Sequence, residues 1–144
     1  MDNTQQTGQP DAAEAQQIQD IAWNHFVREE GSADKAQEMM NKLGTVVSEP
    51  GTKLVHIGNI LFLVQVRAKG IVEIHIIGHE SSPSQLASDI KQLAAYLRNI
   101  EVKMAYGYTE EKRLEAVIQM TGLPIKVFPT MISGKEYTTY AMEF

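Results

Sequence analysis

The sequence predicts an α/β (α+β) domain with a mixed, mostly antiparallel central sheet flanked by helices. Three observations carry this. Two amphipathic helical stretches open the chain before any β signal. Short β-branched segments then follow one another across tight turn signals, the pattern of a meander. The third is the stretch Ile71 to Leu97, where an apolar strand runs through a short polar loop into a well-marked helix.

Residues 1 to about 12 are Gln, Thr, Asn, Asp, Gly and Pro, with too little apolar surface to bury a face. They are expected to form a polar arm (1–12) ahead of a single domain (13–144). Ala12 to Glu29 reads as a helix, with Ile18, Ile21, Ala22, Trp23, Phe26 and Val27 at helical spacing and Gly31 as its stop. Ser32 caps a second helix, Ala33 to Leu43, and Gly44 stands at the expected C′ position. Thr45-Val46-Val47 and Lys53 to Ile57 are β candidates on either side of Pro50-Gly51. Gly58-Asn59 leads into Ile60 to Arg67, and Ala68-Lys69-Gly70 into Ile71 to Ile77. Ser82 at N-cap, Pro83 at N1 and Gln85 at N3 form a capping box for a third helix, with Leu86, Ile90, Leu93 and Leu97 as its core stripe. Glu101 to Tyr106 reads as a strand, and Thr109 as the cap of a helix over Glu110 to Thr121, closed by Gly122. Ile125 to Ile132 and Tyr137 to Phe144 are final strands joined across Ser133-Gly134.

Composition narrows the function classes. A chain of 144 residues suits one domain that buries roughly 70% of its unfolded surface. Apolar and charged fractions of 43% and 22% are ordinary globular values. The absence of cysteine excludes disulfides and thiol chemistry and leans toward cytosolic synthesis. A net charge of −5 disfavours broad nucleic-acid binding. The polar N-terminus lacks a signal-peptide pattern, and no apolar run approaches the roughly 20 residues of a membrane span. No nucleic acid and no membrane are therefore expected as partners.

The element order resembles the GNAT acyltransferase fold over roughly Ala12 to Phe144. His56-Ile57-Gly58-Asn59 and Glu73-Ile74-His75 look like the small GNAT-like virion proteins of tailed phages more than like bacterial acetylases. The resemblance implies a cofactor loop after strand 71–77, patterned Arg/Gln-x-x-Gly-x-Gly/Ala, whose amides hold the diphosphate of acyl-CoA. The matching positions run from Gly78 through His79, Glu80, Ser81 and Ser82 to Gln85, without Arg, Lys or paired glycines. Pro83 has no amide to donate. Glu80 repels a diphosphate by about 1 to 4 kcal/mol depending on exposure, and a protonated His79 offsets part of that. The family's general acid, a tyrosine four residues before a Gly-Phe pair, maps from Gly122-Leu123 onto Ile118, which donates no proton. Tyr106 and Tyr108 are the substitute candidates.

Other constellations carry less. His75 and His79 with Glu80 lie too far apart on a strand for one metal ion, so no metal site is expected. His56, His75 and Glu73 can meet if their strands are neighbours; the pairing then reads either as an acid–base device or as a polar cross-strand pair. Ser81, Ser82 and Ser84 lack a nucleophile elbow, and capping accounts for Ser82. The methionines read as core filling. Tyr137 to Phe144 alternates, and reads equally as an edge strand able to pair with another subunit or as an internal strand.

These readings lead first to a non-catalytic, GNAT-like structural or interaction module, most consistent with a phage virion component. Its arm would contact other protein subunits in an oligomer or larger assembly, and it would have no cofactor. Its location would be the virion if phage-encoded and otherwise the cytoplasm. The alternatives are an acyl-CoA-dependent N-acetyltransferase with a divergent loop, using acetyl-CoA, and a small-ligand-binding module. The catalytic candidates are Tyr106, Tyr108 and His75.

Overall fold

Side-chain caps set three of the helix starts. Asp11 Oδ1 accepts from the Glu14 N–H (2.8 Å) at the start of α1 (Ala12–Glu30). Ser32 Oγ accepts from the Lys35 N–H at α2 (Ala33–Val47), and Ser82 Oγ from the Gln85 N–H (3.2 Å) at α3 (Pro83–Asn99). The capping box at α3 is only half made, because the Gln85 amide donates to Asp89 Oδ1 (2.9 Å) instead of turning back. The fourth helix, α4 (Arg113–Thr121), has no side-chain cap. Thr109, expected in that role, accepts from the Glu111 N–H and lies in the preceding strand.

The strands are β1 (Thr52–Ile57), β2 (Ile60–Ala68), β3 (Ile71–Ile77), β4 (Met104–Thr109), β5 (Lys126–Ile132) and β6 (Lys135–Glu143). They form one mixed, mostly antiparallel sheet in the order β1-β2-β3-β4-β6-β5. The pairing of β3 with β4 is parallel, and β6 is antiparallel to both β4 and β5. The computed structural model describes residues 11–78 and 82–144. The expected polar arm therefore falls, apart from Asp11 and Ala12, outside the described residues, and so do His79, Glu80 and Ser81 of the junction loop.

Two further boundaries differ from expectation. The second helix runs through Gly44 to Val47, so Thr45-Val46-Val47 is helical. Val46 and Val47 pack against the Phe26 cluster, and Ser48 Oγ donates to the Gly44 carbonyl at 2.9 Å. Strand β4 starts at Met104, three residues late. Glu101 takes a left-handed φ of 65°, and the Val102 N–H reaches the Leu97 carbonyl, so these residues close α3. Of the two placements open for the C-terminal strand, β6 takes the internal one, between β4 and β5; the edge strands are β1 and β5, and β6 has no free edge to offer another subunit.

Contacts cluster in two compact units. The first comprises 11–63 and 76–78 of the described residues. Its core is Ala22, Phe26, Ala36, Leu61, Leu63 and Ile77, against which Ile18, Trp23, Met40, Leu43 and Leu54 pack. Glu14 Oε2 and the Gly58 carbonyl both contact the His56 ring, at 3.0 and 2.8 Å, and tie α1 to the β1–β2 turn.

The second unit comprises 64–75 and 82–144. Helices α3 and α4 pack together, burying Leu86, Ile90, Leu93 and Leu97 of the one and Val117 and Ile118 of the other. Tyr140 and Met142 of β6 are buried on the helix-covered face of this part of the sheet, where Glu115 of α4 acts on the Tyr140 phenol. Burial first, and that carboxylate second, push the phenol above its ordinary pKa.

Candidate acid–base site

The opposite face of the second unit carries the titratable cluster. Alternation puts Glu73 and His75 on one side of β3. The parallel register sets Tyr106 beside Glu73, and strand alternation adds Tyr108 on the same face. Glu73 is buried, its side chain 6% exposed, although it is a carboxylate. Its oxygens are satisfied from two sides. Arg67 Nε donates to Oε1 at 2.7 Å, and His75 Nε2 lies 3.0 Å from Oε2. Gln65 Oε1 in turn accepts from Arg67 Nη2 at 3.1 Å.

Burial is affordable for Glu73 because both oxygens find charged or dipolar partners. The hydrogen bond to Glu73 raises the Arg67 guanidinium further above its ordinary value, so that charge is permanent. Tyr108 is pushed above the ordinary phenol range, first by burial and then by the charge and hydrogen bond of Glu73. It stays protonated at neutral pH and keeps a proton to give. The His75 and Tyr108 rings meet edge-on, 6.3 Å between centroids.

Chemically, a carboxylate that holds one nitrogen of a histidine fixes the tautomer and leaves the other nitrogen to take a proton. The His75 side chain is 36% exposed, which gives a ligand access to it. The structure thus joins two of the three sequence candidates, His75 and Tyr108, around Glu73, with Tyr106 in register beside them. It separates His56 from this cluster: β2 lies between β1 and β3, and His56 bonds to Glu14 and Gly58 instead. Ile118 is buried in α4, as an apolar residue should be. Arg67 is the member that sequence reasoning missed. The one available signal was its distance of six residues from Glu73 across the Lys69-Gly70 turn, which sets the two side by side on a hairpin.

The strand-to-helix junction answers differently. The Gly78 N–H donates to His25 Nδ1 at 3.0 Å. Pro83 has no N–H, and the N–H groups of Gln85 and Leu86 donate to Ser82 Oγ and Ser82 O. Gly78 itself is explained by its φ of 129° and by tight packing, since a Cβ there would stand 3.1 Å from Ile60 Cδ1. The amides at 78, 85 and 86 each donate within the protein. Beside Gly78, within the first unit, Gln17, Asp20, Asn24, His25 and Asn59 line an open cleft of about 240 Å³. Among the described residues no group of three or more His, Asp or Glu is placed to hold a metal. No helix among them is long and apolar enough to cross a membrane.

Solved structures that superpose on this chain are acetyltransferases. A protein from Chromobacterium violaceum ATCC 12472 assigned to the GNAT family aligns at TM-score 0.55 and 12% identity, over 78% of this chain and 68% of that one. This chain has the GNAT acyltransferase fold. A Bacillus subtilis acetyltransferase in complex with CoA aligns at TM-score 0.53 and 11% identity, over 87% of this chain and 92% of its own. The spermidine N-acetyltransferase SpeG of Vibrio cholerae, as its F149A mutant, aligns at 0.54 and 11%, over 75% of each chain. No protein-family model matches the chain, and no curated protein sequence does. At these identities the likeness is one of GNAT fold, and a virion role finds no counterpart in it.

Proposed function

We propose that this GNAT-fold chain is an N-acyltransferase whose acceptor is deprotonated at His75. The observation that carries the reading is the buried Glu73 carboxylate bonded to His75 and beside Tyr108. An ammonium is not a nucleophile until it loses a proton. His75, held by Glu73, takes that proton, and Arg67 holds Glu73 in place. Tyr108 holds its proton close by, available to a leaving group. A thioester donor such as acetyl-CoA supplies the acyl carbon when bound.

The test is amine acylation by the full chain with acetyl-CoA over a panel of primary amines. His75→Ala and Glu73→Gln should each reduce the rate by about 10² to 10⁴. Acylation that is unchanged in His75→Ala, or absent with every amine, sinks the reading. One observation favours a second reading, a non-catalytic interaction module that contacts other subunits, in a virion or elsewhere. It is the set of spent amides at Gly78, Gln85 and Leu86. That module gives no acylation and no thermal shift at millimolar CoA, and elutes as an assembly with its partners.

A further inference from the structure

The face that carries Glu73 and His75 continues as a row of aromatic rings across β4, β6 and β5. From His75 the centroid of Tyr108 is 6.3 Å away, and from Tyr108 that of Tyr137 is 5.5 Å away, both pairs edge-on. The register sets Thr139 opposite both Tyr108 and Phe128, which places Phe128 on this same face at the far end. The helices of this unit cover the other face, where Tyr140 and Met142 are buried. Tyr108 and Phe128 stay 37% and 44% exposed. Exposed large rings in a line are unusual on a sheet face without a ligand to cover them.

Charge decides what kind of ligand suits the row. Two carboxylates stand at this face beside the row, and each is already balanced: Glu73 by Arg67, and Glu110 by Lys135 at 2.7 Å, two residues from Tyr137 on β6. Glu143, on the same strand face, pairs with Met104 at the opposite end of β4 from Tyr108. A polycation would find no unpaired anion along the row. A ligand with a single ammonium and an apolar, planar body satisfies the face, the ammonium at His75 and the ring along Tyr108, Tyr137 and Phe128. Aromatic rings add stacking and edge-to-face attraction beyond the area they cover, which an aliphatic ring of equal size does not gain.

We infer that the acceptor is a monoamine carrying an aromatic ring, and that Tyr137 and Phe128 determine that specificity. The inference rests on the acyl-transfer reading for the fate of the amine but not for its binding. The experiment is therefore calorimetric titration of the full chain, without donor, with 2-phenylethylamine, 2-cyclohexylethylamine and spermidine. 2-Phenylethylamine should bind about tenfold more tightly than either of the others. Phe128→Leu and Tyr137→Leu, which keep apolar area and lose the ring, should bring it down to the cyclohexyl level; unchanged melting confirms that both variants fold. Equal binding of the cyclohexyl amine, tighter binding of spermidine, binding insensitive to both variants, or no binding of any amine overturns the inference. Ring-dependent binding without acylation upholds it and removes the acyl-transfer reading alone.

Discussion

Gly107 offers the sharpest test of how the fold builds the site. It lies between Tyr106 and Tyr108 on β4, and the carbonyl oxygen of Ile74, between Glu73 and His75 on β3, faces it. A Cβ at 107 would stand 2.7 Å from that oxygen, about 0.7 Å inside the 3.4 Å at which ordinary contact begins. The Cβ is fixed by the backbone and the Ile74 oxygen is part of it, so no rotamer change relieves the contact. Gly107→Ala must push β4 from β3 at the point where the Tyr108 phenol meets Glu73. Overpacking of this kind costs about 3 kcal/mol, and the lost glycine entropy in the unfolded chain returns about 1 kcal/mol. The net destabilisation is about 2 kcal/mol, a fall in Tm of about 8 °C for a chain of this length. Displacing Tyr108 by a large fraction of an ångström should also lower the acylation rate by about 10². Gly44→Ala is the matched control: it lies inside α2, nothing stands within 4 Å of its would-be Cβ, and it should gain about 1 kcal/mol. Thermal and urea denaturation of the two variants, with rates measured well below each Tm, decide the matter. A Gly107→Ala protein as stable as the parent, or one that loses stability while keeping its full rate, refutes the argument.

Two further outcomes follow from the site. Because the amides at Gly78, Gln85 and Leu86 are spent, a donor shortened to S-acetylpantetheine should raise KM less than about tenfold over acetyl-CoA; a rise beyond 10² would show a diphosphate grip. Absorbance titration of the parent against Tyr108→Phe should place the missing phenol above the ordinary value of 10.0. The fold favours the protonated phenol, so its contribution to stability is complete below about pH 10 and lost as pH rises through the raised value; a phenol titrating at or below 10.0 would contradict the burial.

Much of the fold was legible in the sequence because it depends on local chemistry. Asp11, Ser32 and Ser82 cap helices through their own side chains. Gly31 and Gly122 take left-handed φ where helices must end. Ser133-Gly134, with φ of 52° and 79°, makes the two-residue turn of the last hairpin. Where tertiary contacts compete, local signals failed. Gly44 looked like a stop, yet core contacts by Val46 and Val47 carry the helix three residues past it. Glu101-Val102-Lys103 looked like strand and is spent closing α3.

The candidate site divides in the same way. The period-2 pattern of a strand put Glu73 and His75 on one face, and the sequence by itself determined that much. Their joining to Arg67 and Tyr108 depends on which strands are neighbours. That is a matter of non-local pairing: β3 runs parallel to β4 across the whole of α3, and β6 inserts between β4 and β5. The junction shows the converse. Pro83 and the Ser82 cap were visible as residues that serve the helix, but only the folded chain brings His25, 53 residues away, onto the Gly78 amide. Sequence fixes what each residue can do within a turn of its own backbone. Packing of distant segments decides which of those capacities meet, because a buried carboxylate or a spent amide exists only once its partner has arrived.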